Sequence, residues 1–368
     1  MGRDRLAIGL MSGTSMDGID AALIETDGDG VARPLDFLFQ PYDETMRAKL
    51  RRAIELALAM DAPAFHSEIE AISLDLTVAH DDAVSALLEQ AGVGPDDIEL
   101  IGFHGQTIAH RPDRGWTWQI GDGDLLAKLS GIAVVNDFRS ADVAAGGQGA
   151  PLVPLYHRAL IGELRGGGPV GVLNLGGVGN LTWFGSGDDD ILAFDTGPAN
   201  ALIDDWVRAH GAGDRDEGGA LAASGEVHRD VLTAMCDLPW FDLAPPKSLD
   251  RHDFTTQPTR GLSLADGAAT LTAFTAETVR IALGHAAEPT MRLLVTGGGR
   301  HNATLMWMLR ERLNMPVEPV ESVGWNGDGL EAEAFAYLAV RVAERLPTSL
   351  PGTTGVRAPT SGGRLHRP

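Results

Sequence analysis

Apolar residues follow two spacings along this chain, and the spacing switches at short glycine-rich breaks. Residues 6–11 and 19–25 are short, nearly continuous apolar runs that predict strands, and the polar stretch Ser12 to Gly18 between them predicts a hairpin tip. Residues 45–58 and 65–91 instead carry apolar positions at helical spacing. Strands are predicted again at 98–103, ending on His104-Gly105-Gln106-Thr107, at 116–120, and at 132–135, ending on Asn136-Asp137-Phe138-Arg139.

Past the Gly/Ala-rich segment 144–150 the order restarts. A strand over 170–175 ends in Gly176-Gly177-Val178-Gly179-Asn180 and continues as a hairpin through 181–184. A strand over 191–194 ends on Asp195-Thr196-Gly197-Pro198, with Pro198 suited to the first turn of a helix over 199–209. A long helix over 265–283, a strand over 292–296 ending in Gly297-Gly298-Gly299-Arg300, and a last helix over 329–345 follow. The Pro/Gly/Thr/Ser-rich tail, 347–368, is either disordered or laid back over the body. Strand, glycine turn, strand thus occurs near residue 10 and again near 175. That weak duplication, in a chain of 368 residues, predicts an α/β fold of two similar domains, 1–145 and 146–368.

Composition narrows the partners. A formal net charge of −22 argues against nucleic acid and against an anionic membrane surface. No stretch approaches the length of a membrane-spanning helix, and the first residues lack a signal pattern, so a cytoplasmic protein is expected. The lone Cys236 excludes an intramolecular disulfide and a multi-cysteine metal site. Lysine occurs only at 49, 128 and 247, arginine supplying the other cations. The 46 glycines cluster in short motifs, which suggests close backbone–ligand approaches.

Three of those motifs are candidate nucleotide loops. The tip Gly13-Thr14-Ser15-Met16-Asp17-Gly18-Ile19-Asp20 can aim N–H groups and hydroxyls at phosphate, although it lacks the Walker A spacing and its lysine. Asn174-Leu175-Gly176-Gly177-Val178-Gly179-Asn180 is a second tip of the same kind. Each alone is as well read as an ordinary turn; one per half is a more specific signal. Gly297, Gly298 and Gly299, before a helix starting near Asn302, would let adenine and ribose lie against backbone at a helix N-terminus. Asp195, at a strand's C-terminal edge, is aimed where open α/β sheets bind ligands; the alternative is a helix-capping aspartate. His104, Gln106, Thr107, Arg139 and Asp142 offer groups for a polar, acidic small molecule, with Arg139 as a carboxylate clamp. The histidines lack zinc-ligand spacing.

Taken together, these motifs resemble one family. Met11 to Asp20, Gly105-Gln106-Thr107, Asn136 to Arg139, Ala145 to Leu152, Asn174 to Asn180, Phe194 to Asn200, Thr296 to Asn302 and Gly324 to Glu331 are similar, in order, to the signatures of anhydro-N-acetylmuramic acid kinases, bacterial enzymes of peptidoglycan recycling. The resemblance implies a two-domain actin-like ATPase (ribonuclease H-like) fold that binds ATP and sugar in an interdomain cleft. It implies conversion of 1,6-anhydro-N-acetylmuramic acid, ATP and water to N-acetylmuramic acid 6-phosphate and ADP. By position, Gly13 to Asp20 would be the phosphate loop and Asp195 the catalytic base. Mg²⁺ is implied by the chemistry, with Asp17 and Asp20 as candidate ligands. Glu331 is either a sugar contact or a helix-dipole carboxylate. A homodimer stays open. One departure stands out: where the family commonly reads Pro-Pro-Lys-Ser-Thr-Gly-Arg-Glu, this chain has Pro245-Pro246-Lys247-Ser248-Leu249-Asp250-Arg251-His252, which puts that loop's role in doubt. A kinase of another sugar, or a nucleotide-gated chaperone or filament protein, would share the same fold.

Overall fold

The computed structural model describes residues 3–187, 189–249 and 253–368; Asp250, Arg251 and His252 of the divergent loop lie outside the described residues. The chain forms two compact units. One takes the chain up to Gly162 and again Asp328–Pro368, and the other takes Glu163–Gly327.

In the first unit, β1 (Arg5–Ser12), β2 (Gly18–Thr26) and β3 (Ala32–Pro41) form an antiparallel meander. β4 (Leu100–Arg111) joins β1 in parallel, β5 (Trp116–Ile120) folds back on the end of β4, and β6 (Val134–Asn136) adds in parallel on β4. In the second unit, β7 (Val170–Leu175), β8 (Val178–Phe184) and β9 (Ile191–Pro198) form the meander. There β10 (Arg292–Thr296) and β11 (Val317–Pro319) continue in parallel. The order β9-β8-β7-β10-β11 repeats β3-β2-β1-β4-β6 with the same sense at every pairing. This is the ribonuclease H-like arrangement in duplicate, so the repeat covers whole sheets and not only their glycine tips.

Alternation along β1 explains how the first sheet is covered. Ile8 and Leu10 point into a core shared with the helices Glu44–Leu58 and Ser67–Ala91. Gly9 between them faces the helix Leu330–Ala343, where a Cβ would stand 1.8 Å from the Ala332 carbonyl oxygen. Its register partner in β4, Gly102, would likewise stand 2.0 Å from the Phe335 oxygen. Two bare backbones side by side give the helix a flat seat, and most of its residues are buried there.

The structure departs from the sequence reading in several places. The boundary expected at 145/146 falls at 162/163, because Gln148 and Tyr156 bond to Thr354 and Glu333 of the first unit. The last helix belongs to that unit for the reason just given. β3 is an edge strand with Leu35 and Phe39 exposed, so its face pattern did not stand out in the sequence. The His104 to Thr107 segment lies inside β4, since that strand runs on to Arg111 with Gly105 at φ +70°. Pro198 ends β9 and the helix is Asn200–Ala209, so Asp195 lies in a strand and is not a helix cap. The tail lies back on the first unit. Its Pro351–Thr354 turn and a final strand, β12 (Arg364–His366), antiparallel to β6, hold it there. Among the described residues no helix is long and apolar enough to cross a membrane.

Candidate active site

In the first unit the β1–β2 tip is open on one side and anchored on the other. A Cβ on Gly13 would meet only the Ser15 hydroxyl, at 3.5 Å, and Thr14 and Ser15 are exposed. Gly18 is glycine for packing, because a Cβ there would stand 2.4 Å from the Gln40 oxygen. Ile19 is fully buried in the core, so only its backbone belongs to the tip. Met16 adopts φ +54°, and its N–H donates to the Gly13 oxygen at 3.2 Å, closing the turn. The Ser15 hydroxyl donates to Asp17 Oδ1 at 2.5 Å. Asp20 is pushed up to about 7 by burial and by the nearby charges of Glu331, Asp17 and Asp328.

The residues expected to hold the sugar divide into scaffold and surface. Gln106 is fully buried; its Oε1 accepts from Ser12 Oγ at 2.6 Å and its Nε2 donates to the Gly13 oxygen at 3.2 Å. It therefore braces the tip from beneath. Asp142 is buried too, accepting from Thr354 Oγ1 at 2.6 Å, from the Gly149 N–H at 2.7 Å and from Ser349 Oγ. It ties the tail to the unit, with both carboxylate oxygens engaged by these donors. His104, also buried, has its Nδ1 2.7 Å from the Gly105 oxygen and accepts from Arg139 Nε at 3.0 Å on Nε2. Burial and the Arg139 charge keep its pKa well below the usual histidine value, so it is neutral. Arg139 also donates Nη1 to the Gly149 oxygen at 2.7 Å, which leaves its Nη2 edge for a ligand. Burial lowers Arg139 to about 10, with Glu331 and Asp142 acting against that. Thr107 Oγ1 accepts from Gln119 Nε2 at 3.1 Å. Glu331 stands in the first turn of the helix Leu330–Ala343, close enough to act on both Asp20 and Arg139.

In the second unit the glycines again separate by task. Gly176 and Gly177 form the β7–β8 turn, where an added Cβ would make only ordinary contacts at 3.5 and 3.6 Å. Val178, Gly179 and Asn180 are already strand. Gly297, at φ +74°, and Gly299 are required by packing, since Cβ atoms there would meet Asn174 Oδ1 at 2.2 Å and Leu175 Cβ at 2.5 Å. Gly298 has nothing within 4 Å and is exposed. Asn302 caps the helix Ala303–Leu313 by accepting the Leu305 N–H at 2.9 Å, which uses its side-chain oxygen.

Asp195 lies in β9 opposite Asn180 of β8. Asn180 Nδ2 donates to Oδ1 at 2.8 Å, and the Leu249 N–H donates to Oδ2 at 2.8 Å. The Asp195 N–H in turn donates to the Lys247 oxygen at 3.0 Å. Its surface is only partly covered, yet protein surrounds the carboxyl on most sides. Burial pushes it up to about 6, against the two hydrogen bonds, which favour the charged form. A carboxylate so held is oriented, ionised at neutral pH, and still basic enough to take a proton.

The family model for anhydro-N-acetylmuramic acid kinase matches residues 5–367. The chain belongs to that family. It is 61% identical over 363 residues to the anhydro-N-acetylmuramic acid kinase of Rhizorhabdus wittichii, covering 99% of each chain. It is 54% identical to the protein of that name from Zymomonas mobilis, covering 98% of this chain and 99% of the relative. A solved structure, component A of the (R)-2-hydroxyglutaryl-CoA dehydratase of Acidaminococcus fermentans, is similar over 92% of this chain and 99% of its own, at 12% identity and a TM-score of 0.47.

Within an anhydro-N-acetylmuramic acid kinase the divergent loop now has a definite place. The sequence leaves the role of the 245–252 loop in doubt, yet Lys247 and Leu249 provide two of the three hydrogen bonds that fix Asp195. No sequence signal could have found the Leu249 N–H, since every residue but proline has one. Asn180, expected at a phosphate tip, directs its amide to Asp195. An amide at the start of β8 opposite an aspartate in β9 is legible only once the hairpin register is known.

Proposed function

We propose that the protein transfers the γ-phosphoryl group of ATP to O6 of 1,6-anhydro-N-acetylmuramic acid while water opens the anhydro ring. The products are N-acetylmuramic acid 6-phosphate and ADP. The observation that carries this reading is the 61% identity to a kinase of that name along 99% of both chains.

A 1,6-anhydro sugar has no free 6-hydroxyl, because O6 is bonded to C1. Asp195 takes one proton from water as its oxygen bonds to C1. The C1–O6 bond breaks, and its electron pair leaves on O6 and attacks the γ-phosphorus. The second water proton stays on the new C1 hydroxyl, and ADP departs. Base-assisted glycosidic opening and phosphoryl transfer are thus joined at one oxygen. In this reading the Gly13 backbone with the Thr14 and Ser15 hydroxyls, and the Gly176–Gly177 turn, serve the phosphates. Gly298 is the open position for the adenosine, the Arg139 Nη2 edge meets the sugar's carboxylate, and Glu331 a sugar hydroxyl.

Mg²⁺ belongs to the proposal, and the residues fit it. Asp20 is raised first by burial and then by the acids around it, and a divalent cation would relieve that repulsion. Among the described residues no group of three or more His, Cys, Asp or Glu makes a ready metal cage, which suits an ion bound largely through phosphate oxygens and water. Asp20 and Asp17 would hold it, and it would offset charge on the β- and γ-phosphates. A cytoplasmic location belongs to the same proposal, since the reaction consumes ATP.

The deciding assay is ADP release with 1,6-anhydro-N-acetylmuramic acid, N-acetylmuramic acid and glucose offered separately. Turnover with the anhydro sugar alone is expected. Turnover only with sugars bearing a free 6-hydroxyl overturns the reading.

A further inference from the structure

Lys247 is held from both ends of its residue. Its ammonium donates to the Trp240 and Phe241 oxygens, both at 3.1 Å, and sits 4.3 Å from the centroid of a Trp240 ring. Phe241 beneath is buried against Phe254 and Phe274, so the anchor does not move easily. On the other side the Lys247 oxygen accepts the Asp195 N–H at 3.0 Å, and two residues on, the Leu249 N–H reaches the carboxylate at 2.8 Å. A compact ammonium with three rotatable donors can meet two converging carbonyls beside a ring face, where a guanidinium's donors are fixed in one planar fork. Lysine stands here in a chain whose other cations are almost all arginine.

We propose that Lys247 is a positioning residue for Asp195. By locking residues 247–249 onto the Trp240–Phe241 turn, it aims the Leu249 N–H at Asp195 Oδ2 and so fixes the carboxylate for taking a proton from water. This rests on the reading of Asp195 as the base. Lys247 acts through the loop and touches neither substrate. Among the described residues, the titratable groups that act on the device or on the helix behind it are these. Asp242 acts on Lys247 through space, and His285 Nε2 lies 3.1 Å from the same Phe241 oxygen. On the helix Leu264–Leu283 behind β9, Asp266 pairs with His228 and Glu277 with Arg280 and Arg312.

The test is the pH profile of kcat in Lys247→Met, with ADP release as the readout. Slackening the loop weakens a hydrogen bond to the charged carboxylate, so its pKa rises and the acid limb moves up, by about half to one pH unit. Turnover at neutral pH falls about 10- to 100-fold from misplacement, while KM for ATP and sugar stays within about two-fold. Lys247→Arg, which keeps the charge and donors, restores part of the rate. Leu249→Pro removes the donated N–H directly, moves the limb the same way, and decides the matter if Lys247→Met does not fold. In an Asp195→Asn background Lys247→Met causes no further loss. A Lys247→Met enzyme with the parent's acid limb and rate overturns the proposal and leaves the base reading intact. So does a folded one whose rate falls with no shift of the limb, or an unmoved limb in Leu249→Pro. Substantial activity in Asp195→Asn alone sinks the base reading instead.

Discussion

Asp195 is a residue whose neighbours set its chemistry. Burial raises it to about 6 and the Asn180 and Leu249 donors resist that rise. As a base it must be ionised, so kcat should fall as pH drops through about 6 and level off above it. A pH–rate profile with no acid limb between about 5 and 7 contradicts that role. Asp195→Asn keeps the shape and removes the basicity; turnover should fall at least about 10³-fold while nucleotide affinity, by calorimetry, changes little. Asp20 makes a different forecast. Asp20→Asn should raise the Mg²⁺ concentration for half-maximal rate several-fold and leave the fold untouched, read from a Mg²⁺ titration of ADP release. An unchanged titration removes Asp20 from the metal.

At the scale of elements, the seat of the helix Leu330–Ala343 is the most exacting contact. A methyl at Gly102 would collide with the Phe335 backbone, which cannot swing aside as a side chain would. Gly102→Ala should cost at least about 3 kcal/mol in urea unfolding. Gly30→Ala, with nothing within 4 Å, is the control and should be near neutral. The same helix buries Glu333, which accepts the Tyr156 hydroxyl at 2.7 Å and is raised by burial from 4.5 to about 7. A carboxyl raised on folding favours the folded state fully below pH 4.5 and loses that contribution as pH climbs through 7. Glu333→Gln keeps a neutral partner for Tyr156, so it should stabilise the protein at pH 8, by up to about 3 kcal/mol, and not at pH 4. Thermal midpoints of both proteins across that range check the sign.

For the molecule as a whole, the tail is part of the first unit. Asp142 accepts from Ser349 and Thr354, and β12 covers the outer edge of β6. Ending the chain at Leu346 would leave a buried carboxylate short of two donors and a bare strand edge. The cost should be about 2–5 kcal/mol, with faster proteolysis around β6, seen by mass spectrometry of a timed digest. A truncated protein as stable as the parent would show the tail to be dispensable.

The sequence by itself determined the local pieces: most strands and long helices from apolar spacing, the glycine tips, and a family through motifs kept in order. These depend on near neighbours in the chain, where periodicity and turn chemistry act directly. Tertiary structure decided what each polar residue was for. Gln106 and Asp142 read as ligand contacts because they follow strands, yet long-range packing buries them as braces. Gly18, Gly297 and Gly299 read as phosphate or adenine positions, yet strands remote in sequence press against them. The loop at 245–249 kept the Pro-Pro-Lys-Ser start of a family motif, yet its bonds to Asp195 were not legible, since they run through backbone groups that every sequence carries. Side-chain type announces what chemistry is available; only the folded neighbourhood decides whether it is turned toward a ligand or used to hold the protein together.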